Sequence, residues 1–249
     1  MAMFSHLTLI PAAGLLLALL LAGLEAGRWI GKALPKIAQP PDHLLSAMLG
    51  LLALLLGFTF SLALNRHEAR RDLVIAEANA IGTTWLRVRL LDEPHRTTLQ
   101  SQMRAYLSVR LDWSEVDADA NAMAATQAMQ ETLWTSLGKA VQDAPSSLLV
   151  RGLMDSMNES FDLAAARAAA RSAHLPDRVL EVLILYMLVC ALILGSVSSA
   201  SDTRHRVAYG LLMLLLVLAF SLILDIDRSR SGGIQISQRP LEDLAASLR

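Results

Sequence analysis

The pattern of apolar and polar positions changes solvent partway along one uninterrupted stretch, Leu44 to Leu91. It begins as LLSAMLGLLALLLGFTFSLAL (Leu44 to Leu64), a run without a charge and long enough to span a hydrocarbon core of about 30 Å. It continues as NRHEARRDLVIAEANAIGTTWLRVRLL (Asn65 to Leu91), and no proline interrupts it before Pro94. As one helix at about 1.5 Å per residue it reaches about 70 Å, so its second half stands outside a bilayer. In that half Val74, Ala78, Ile81, Trp85 and Val88 alternate spacings of four and three. This heptad-like seam is expected to meet partner helices from other subunits. Arg66, Glu68, Arg70, Arg71, Asp72, Glu77, Arg87 and Arg89 occupy the other faces.

Three further apolar runs flank this stretch. The first, about 7–24, follows MAMFSH, which lacks the basic residues of a secretory n-region, so a retained span is the better reading than a cleaved signal. Glu25 to His43 reads as a basic loop, with Trp29 at interfacial depth and Pro35, Pro40 and Pro41 preventing a continuous helix. The last two runs, about 179–200 and 207–224, are joined by the short turn SDTRHR. Between the two hairpins, Asp92 to Arg96 marks a turn. Helices are then expected over Thr97 to Asp112, Asp117 to Val141 and Ser146 to His174. The fold class that follows is all-α: an integral membrane protein with four transmembrane helices and a helical cytosolic bundle inserted between the second and third. Its divisions are a hairpin (1–64, spans 7–24 and 44–64), the bundle (65–178), a second hairpin (179–224) and a polar tail (225–249).

Composition supports the class. Hydrophobic residues make up 54% of the chain, and Lys plus Arg number 22 against 23 Asp plus Glu, so nothing in the overall charge argues for nucleic acid and no nucleic-acid partner is expected. Basic residues near the spans favour the bundle side and both termini as cytoplasmic, and the expected location is the inner (plasma) membrane. Arg167 and Arg171 in the Ala-rich DLAAARAAARSAH read as a solvated helix side. The single Cys190 allows neither a disulfide nor a cysteine cluster. His67-Glu68 starts like a zinc-protease helix, but Arg71 stands where the second histidine belongs. No catalytic set, metal site or cofactor motif is expected.

One candidate remains, a stripe on the second span. Leu54, Phe58 and Leu62 recur every four residues with Gly50 above, and Ser61 and Asn65 lie beside it toward the bundle, followed by Arg66. Periodicity alone favours a packing face, with Gly50 and Gly57 admitting a close neighbour.

The run Gly57-Phe58-Thr59-Phe60-Ser61-Leu62-Ala63-Leu64-Asn65-Arg66 resembles the pore helix of the bestrophin anion channels. Glu68-Ala69-Arg70-Arg71, then Glu77 to Thr83 (EANAIGT), resemble a bacterial bestrophin-like group of unknown function. Asp227, Gly232 and Pro240-Leu241 resemble that family's turn after the last span. The resemblance implies a pentamer with the anion path on its axis and a hydrophobic neck, with Phe58, Leu54 and Gly50 at the three neck positions. Gly50 is not bulky, and the acidic cluster that binds calcium in animal bestrophins is reduced to Asp225 and Asp227 beside Arg228, so calcium control is not implied. The readings that follow are a homo-oligomeric channel passing chloride or another small anion, with Ser61, Asn65 and Arg66 at the pore mouth, or a membrane-anchored scaffold without a pore. Neither is an enzyme.

Overall fold

The computed structural model describes residues 9–34, 42–115, 120–143, 148–198, 203–228 and 233–248, and every regular element among them is helical. Pro35, Pro40 and Pro41 of the expected loop, and Gly232 of the expected turn, lie outside the described residues. In chain order the helices are α1 (Leu9–Ala33), α2 (Asp42–Val88), α3 (His95–Glu115), α4 (Ala120–Asp143), α5 (Leu148–Ser172), α6 (Asp177–Val197), α7 (Thr203–Asp227) and α8 (Arg239–Ser247). Four of them are long and apolar enough to cross a membrane: α1, α2, α6 and α7. Two compact units result, Met1–His67 with His174–Gln235, and Glu68–Ala173 with Ile236–Arg249.

In the first unit Leu16, Leu20 and Leu24 of α1, Leu52, Leu56 and Ala63 of α2, Leu183, Met187 and Cys190 of α6, and Met213, Val217 and Phe220 of α7 share one core. Lipid tails are as apolar as leucine, so association of these helices rests on packing and on hydrogen bonds between them. The closest approach is between α1 and α6. A Cβ placed on Gly27 would collide with the Leu192 carbonyl, and one on Gly195 with the Leu24 carbonyl, so each glycine admits the other helix's backbone. Gly23 faces Ala191 one turn away, where an added Cβ would lie 3.6 Å from the Ala191 Cβ. Around the expected glycines, Gly50 and Gly57, nothing lies within 4 Å of an added Cβ, so they admit no neighbour within the chain. The glycine contact also explains why α1 outlasts its apolar run: Gly27, Arg28 and Gly31 are buried, so the segment expected to be loop from Glu25 is helix to Ala33.

The second unit has its own core. Val74, Ala78, Ile81, Trp85 and Val88 of α2 meet Leu99, Met103, Tyr106 and Leu107 of α3, Leu133 and Leu137 of α4, and Leu153 and Met157 of α5. The seam expected to be covered by other subunits is therefore covered inside one subunit, which corrects the assignment of those five residues to an oligomer contact. A heptad spacing states that a helix face is buried but not which chain buries it.

The polar tail also departs from expectation. Pro240 stands in the first turn of α8, where its missing N–H costs nothing. Leu241 and Leu248 are buried in the second unit's core with Leu244 packed against it. Arg104 Nε donates to the Leu248 carbonyl at 2.7 Å, closing the end of the tail helix.

Two outcomes test these assignments. Gly195→Ala is expected to lower the melting temperature of the purified chain by several degrees, because the helices must separate, whereas Gly57→Ala leaves it unchanged or raises it slightly; equal melting of the two would refute the α1–α6 contact. Ile81→Asp is expected to cost several kcal/mol by burying an unpaired carboxylate, seen as protease sensitivity of the 68–173 region. A protease-resistant Ile81→Asp chain that merely dissociates would restore the seam to the subunit boundary.

Candidate functional site

Helix α2 has two unlike sides. Leu52, Leu56, Thr59 and Ala63 are buried against the first unit's helices, and the Thr59 hydroxyl donates to the Leu55 carbonyl at 2.8 Å, so no polar group on this side is left open. Tyr186 of α6 donates to the Met48 carbonyl at 3.2 Å and ties the helix from the same direction. About 100° per residue then turns the candidate stripe away from these contacts. Phe58 is 66% exposed, Leu54 51% and Leu62 41%. Gly50, Ser61 and Asn65 are exposed beside them, while Arg66 is half-buried. The guanidinium of Arg66 keeps one nitrogen, Nη1, buried without a hydrogen-bond partner, as does His67 at Nδ1. Phe60, about 200° around the helix from Phe58, is also exposed, at 36%, so it is no core residue of the chain.

All seven candidate positions thus lie on a single helix, within one unit, and none is consumed by packing inside the subunit except part of Arg66. An exposed apolar stripe on a span is by itself what lipid would accept. Its continuation into Ser61 at the end of the span and Asn65 just beyond it adds polar groups to the same side.

The second concentration of chemistry lies in the other unit, and sequence reasoning missed it. Glu77 is fully buried and takes Arg110 Nε at 2.5 Å on one oxygen and Arg167 Nη1 at 2.5 Å on the other. Arg167 also donates to Gln238 Oε1 of the tail segment, and Arg110 Nη1 approaches Thr126 Oγ1 at 3.4 Å. The Trp113 ring carries three guanidiniums, with Arg110 4.4 Å, Arg171 4.6 Å and Arg167 5.1 Å from its centroid. Arg167 and Arg171 are therefore not a solvated side. Burial pulls the Arg167 guanidinium below its ordinary range against the attraction of Glu77, and burial pushes the neighbouring Tyr106 phenol up to about 12. A signal existed: Val150, Leu153, Met157, Ser160, Ala164 and Arg167, all buried on α5, follow three- and four-residue spacing, with Ser156 buried beside them, so Arg167 continues the core stripe. The cluster joins α2, α3, α5 and the tail of one unit around a carboxylate, and it has the character of a folding element, because breaking such a buried pair costs about 3–5 kcal/mol.

The carboxylates after the last span are engaged by backbone. Asp225 Oδ1 accepts the Gly233 N–H at 2.7 Å, and both oxygens of Asp227 face the Leu175 N–H, at 3.0 and 3.2 Å. His174 Nδ1 lies 3.5 Å from Asp227. Among the described residues no group of three His, Cys, Asp or Glu side chains is placed to hold a metal ion.

Comparison with known proteins places this geometry. No curated protein matches the sequence. Crystal structures of a bacterial bestrophin homologue from Klebsiella pneumoniae match the fold. One variant gives a TM-score of 0.72 at 14% identity, covering 96% of this chain and 97% of that one. Another gives 0.74 at 14% identity over 98% and 96%, and the form phased on zinc gives 0.70 at 15% over 96% and 95%. At such identities these matches speak to the fold alone. The family model of the bestrophin-like domain matches residues 8–241. The chain is a multi-pass membrane protein and belongs to the bestrophin-like family.

Proposed function

We propose that the chain is one subunit of a homo-oligomeric channel whose path runs along the exposed side of α2. The observation that carries this is the two-sidedness of that helix: its far side is fully packed within the subunit, and Leu54, Phe58 and Leu62 are left open on a stripe that becomes polar at Ser61 and Asn65. Copies of α2 arranged about an axis bring these residues together as successive rings. Phe58 and Leu54 form the apolar constriction, which gates by excluding water, and Gly50 leaves the third level wide. Below it, Ser61 and Asn65 offer hydrogen bonds, and the positive charge of the half-buried Arg66 favours an anion such as chloride. Five copies is the number that the family resemblance implies. The family resemblance implies a bacterial inner-membrane location, and the arginine balance supports the termini and the 68–173 region facing the cytoplasm.

Purified chain in liposomes tests the reading. Phe58→Ala is expected to raise chloride flux several-fold over wild type, because a ring that excludes water is replaced by a methyl group. Phe60→Ala is expected to leave flux unchanged. Wild type and Phe58→Ala that are folded, oligomeric and equally silent toward chloride, nitrate and sodium would end the channel reading in favour of a membrane-anchored scaffold. Orientation is read separately with single cysteines in a Cys190→Ser background: an impermeant thiol reagent on intact cells should label position 39 and spare position 120. The reverse labelling would invert the topology.

A further inference from the structure

We propose that the far end of the α1–α6–α7 bundle binds the phosphate of an anionic lipid headgroup. The site is built on Glu25, Arg28, Trp29 and Lys32 of α1, Ser198 at the end of α6, and Arg206 of α7. Arg28 lies about 28 Å along α1 from Leu9, one hydrocarbon thickness, so its guanidinium reaches headgroup level. The Gly27–Gly195 contact holds the backbone of α6 against it, and Arg28 is only 6% exposed. Its Nε donates to Ser198 Oγ at 3.1 Å and its Nη1 pairs with Glu25. Its Nη2 is buried and has no hydrogen-bond partner.

Among the described residues, charge at this end does not balance. Glu25 is shared, since Arg206 Nη2 also reaches its Oε1, at 3.4 Å. One carboxylate therefore faces two guanidiniums, and Lys32 adds a third cation one turn beyond Arg28 on the same face. A buried guanidinium with incomplete compensation raises the positive potential at the surface above it. Arg206 is 55% exposed and only loosely held by its carboxylate, so most of its donors remain available to a phosphate. Trp29, 78% exposed beside Arg28, is of the type that sits at the membrane–water boundary and fixes this level in the headgroups. Arg28 thus supplies field from beneath, and Arg206 and Lys32 supply the contacts; basic residues at such a level attract anionic headgroups.

Thermal unfolding of the purified full chain, stripped of lipid in a neutral detergent, tests the site with phosphatidylglycerol, phosphatidylcholine or inorganic phosphate added. Phosphatidylglycerol is expected to raise the melting temperature by several degrees more than phosphatidylcholine. Arg28→Gln should remove that excess, and Arg206→Gln and Lys32→Gln should each remove at least half of it, while Lys139→Gln in the other unit should keep it. Equal shifts for the two lipids would overturn the proposal, as would an excess retained in Arg206→Gln and Lys32→Gln. Should Arg28→Gln fail to fold, those two exposed substitutions decide the outcome. Inorganic phosphate matching the phosphatidylglycerol shift at equal concentration would overturn the headgroup assignment in favour of a free anion.

Discussion

One helix has to be covered along one side and left open along the other for 47 residues. The buried positions of α2 are Leu52, Leu56, Thr59 and Ala63 in the first unit and Arg70, Val74, Glu77, Ala78, Ala80, Ile81, Thr84, Trp85 and Val88 in the second, a three- and four-residue stripe that widens after Val74. Such a spacing keeps one side of a helix in register with its neighbours over many turns. Because no proline or other break resets the rotation, the side opposite is fixed as well, and Phe58 is turned outward by the same repeat that turns Ala63 inward. A shift of one residue in this register would rotate every position by about 100° and bury the stripe.

The two solvents make different demands on the covered side. Among the spans, apolar surface gives no net drive to associate, and the tight approach at Gly27 and Gly195 supplies dispersion contacts in its place. In the 68–173 region water supplies the drive, and leucine and methionine layers of α3, α4 and α5 suffice for most of the contact. The exception is Glu77, whose burial is tolerated because both oxygens meet an arginine. Arg70 belongs to the same pattern: its Nε and Nη2 donate to the Ala170 and Ala173 carbonyls at 3.0 and 2.6 Å, satisfying the open carbonyls at the end of α5.

Charge placement along α1 follows a related logic at a different depth. Arg28 is held in a packed position where a cation is expensive, and Glu25 and Ser198 offset only part of that cost. Its Nη2 remains buried without a hydrogen-bond partner.

The sequence by itself determined the helices and their solvent. Charge-free runs of span length, the absence of proline between Leu44 and Leu91, and the heptad spacing from Val74 to Val88 are local properties, readable because a helix repeats every 3.6 residues. That Leu54, Phe58 and Leu62 share one stripe was legible for the same reason, but periodicity favoured a packing face and only the structure leaves the stripe exposed. Partner identity was not, because the face a helix buries does not encode what buries it. Only the tertiary structure decided that Ile81 and Trp85 pack against α3 and α5 of their own chain, and that Arg167 turns inward to Glu77. It likewise moved the close helix approach from Gly50 and Gly57 to Gly27 and Gly195, since a glycine permits contact but contact requires a second small residue at the crossing point. The tail helix escaped notice although Leu241, Leu244 and Leu248 keep three- and four-residue spacing, because a helix of nine residues is too short to hold in water until it docks onto a preformed core.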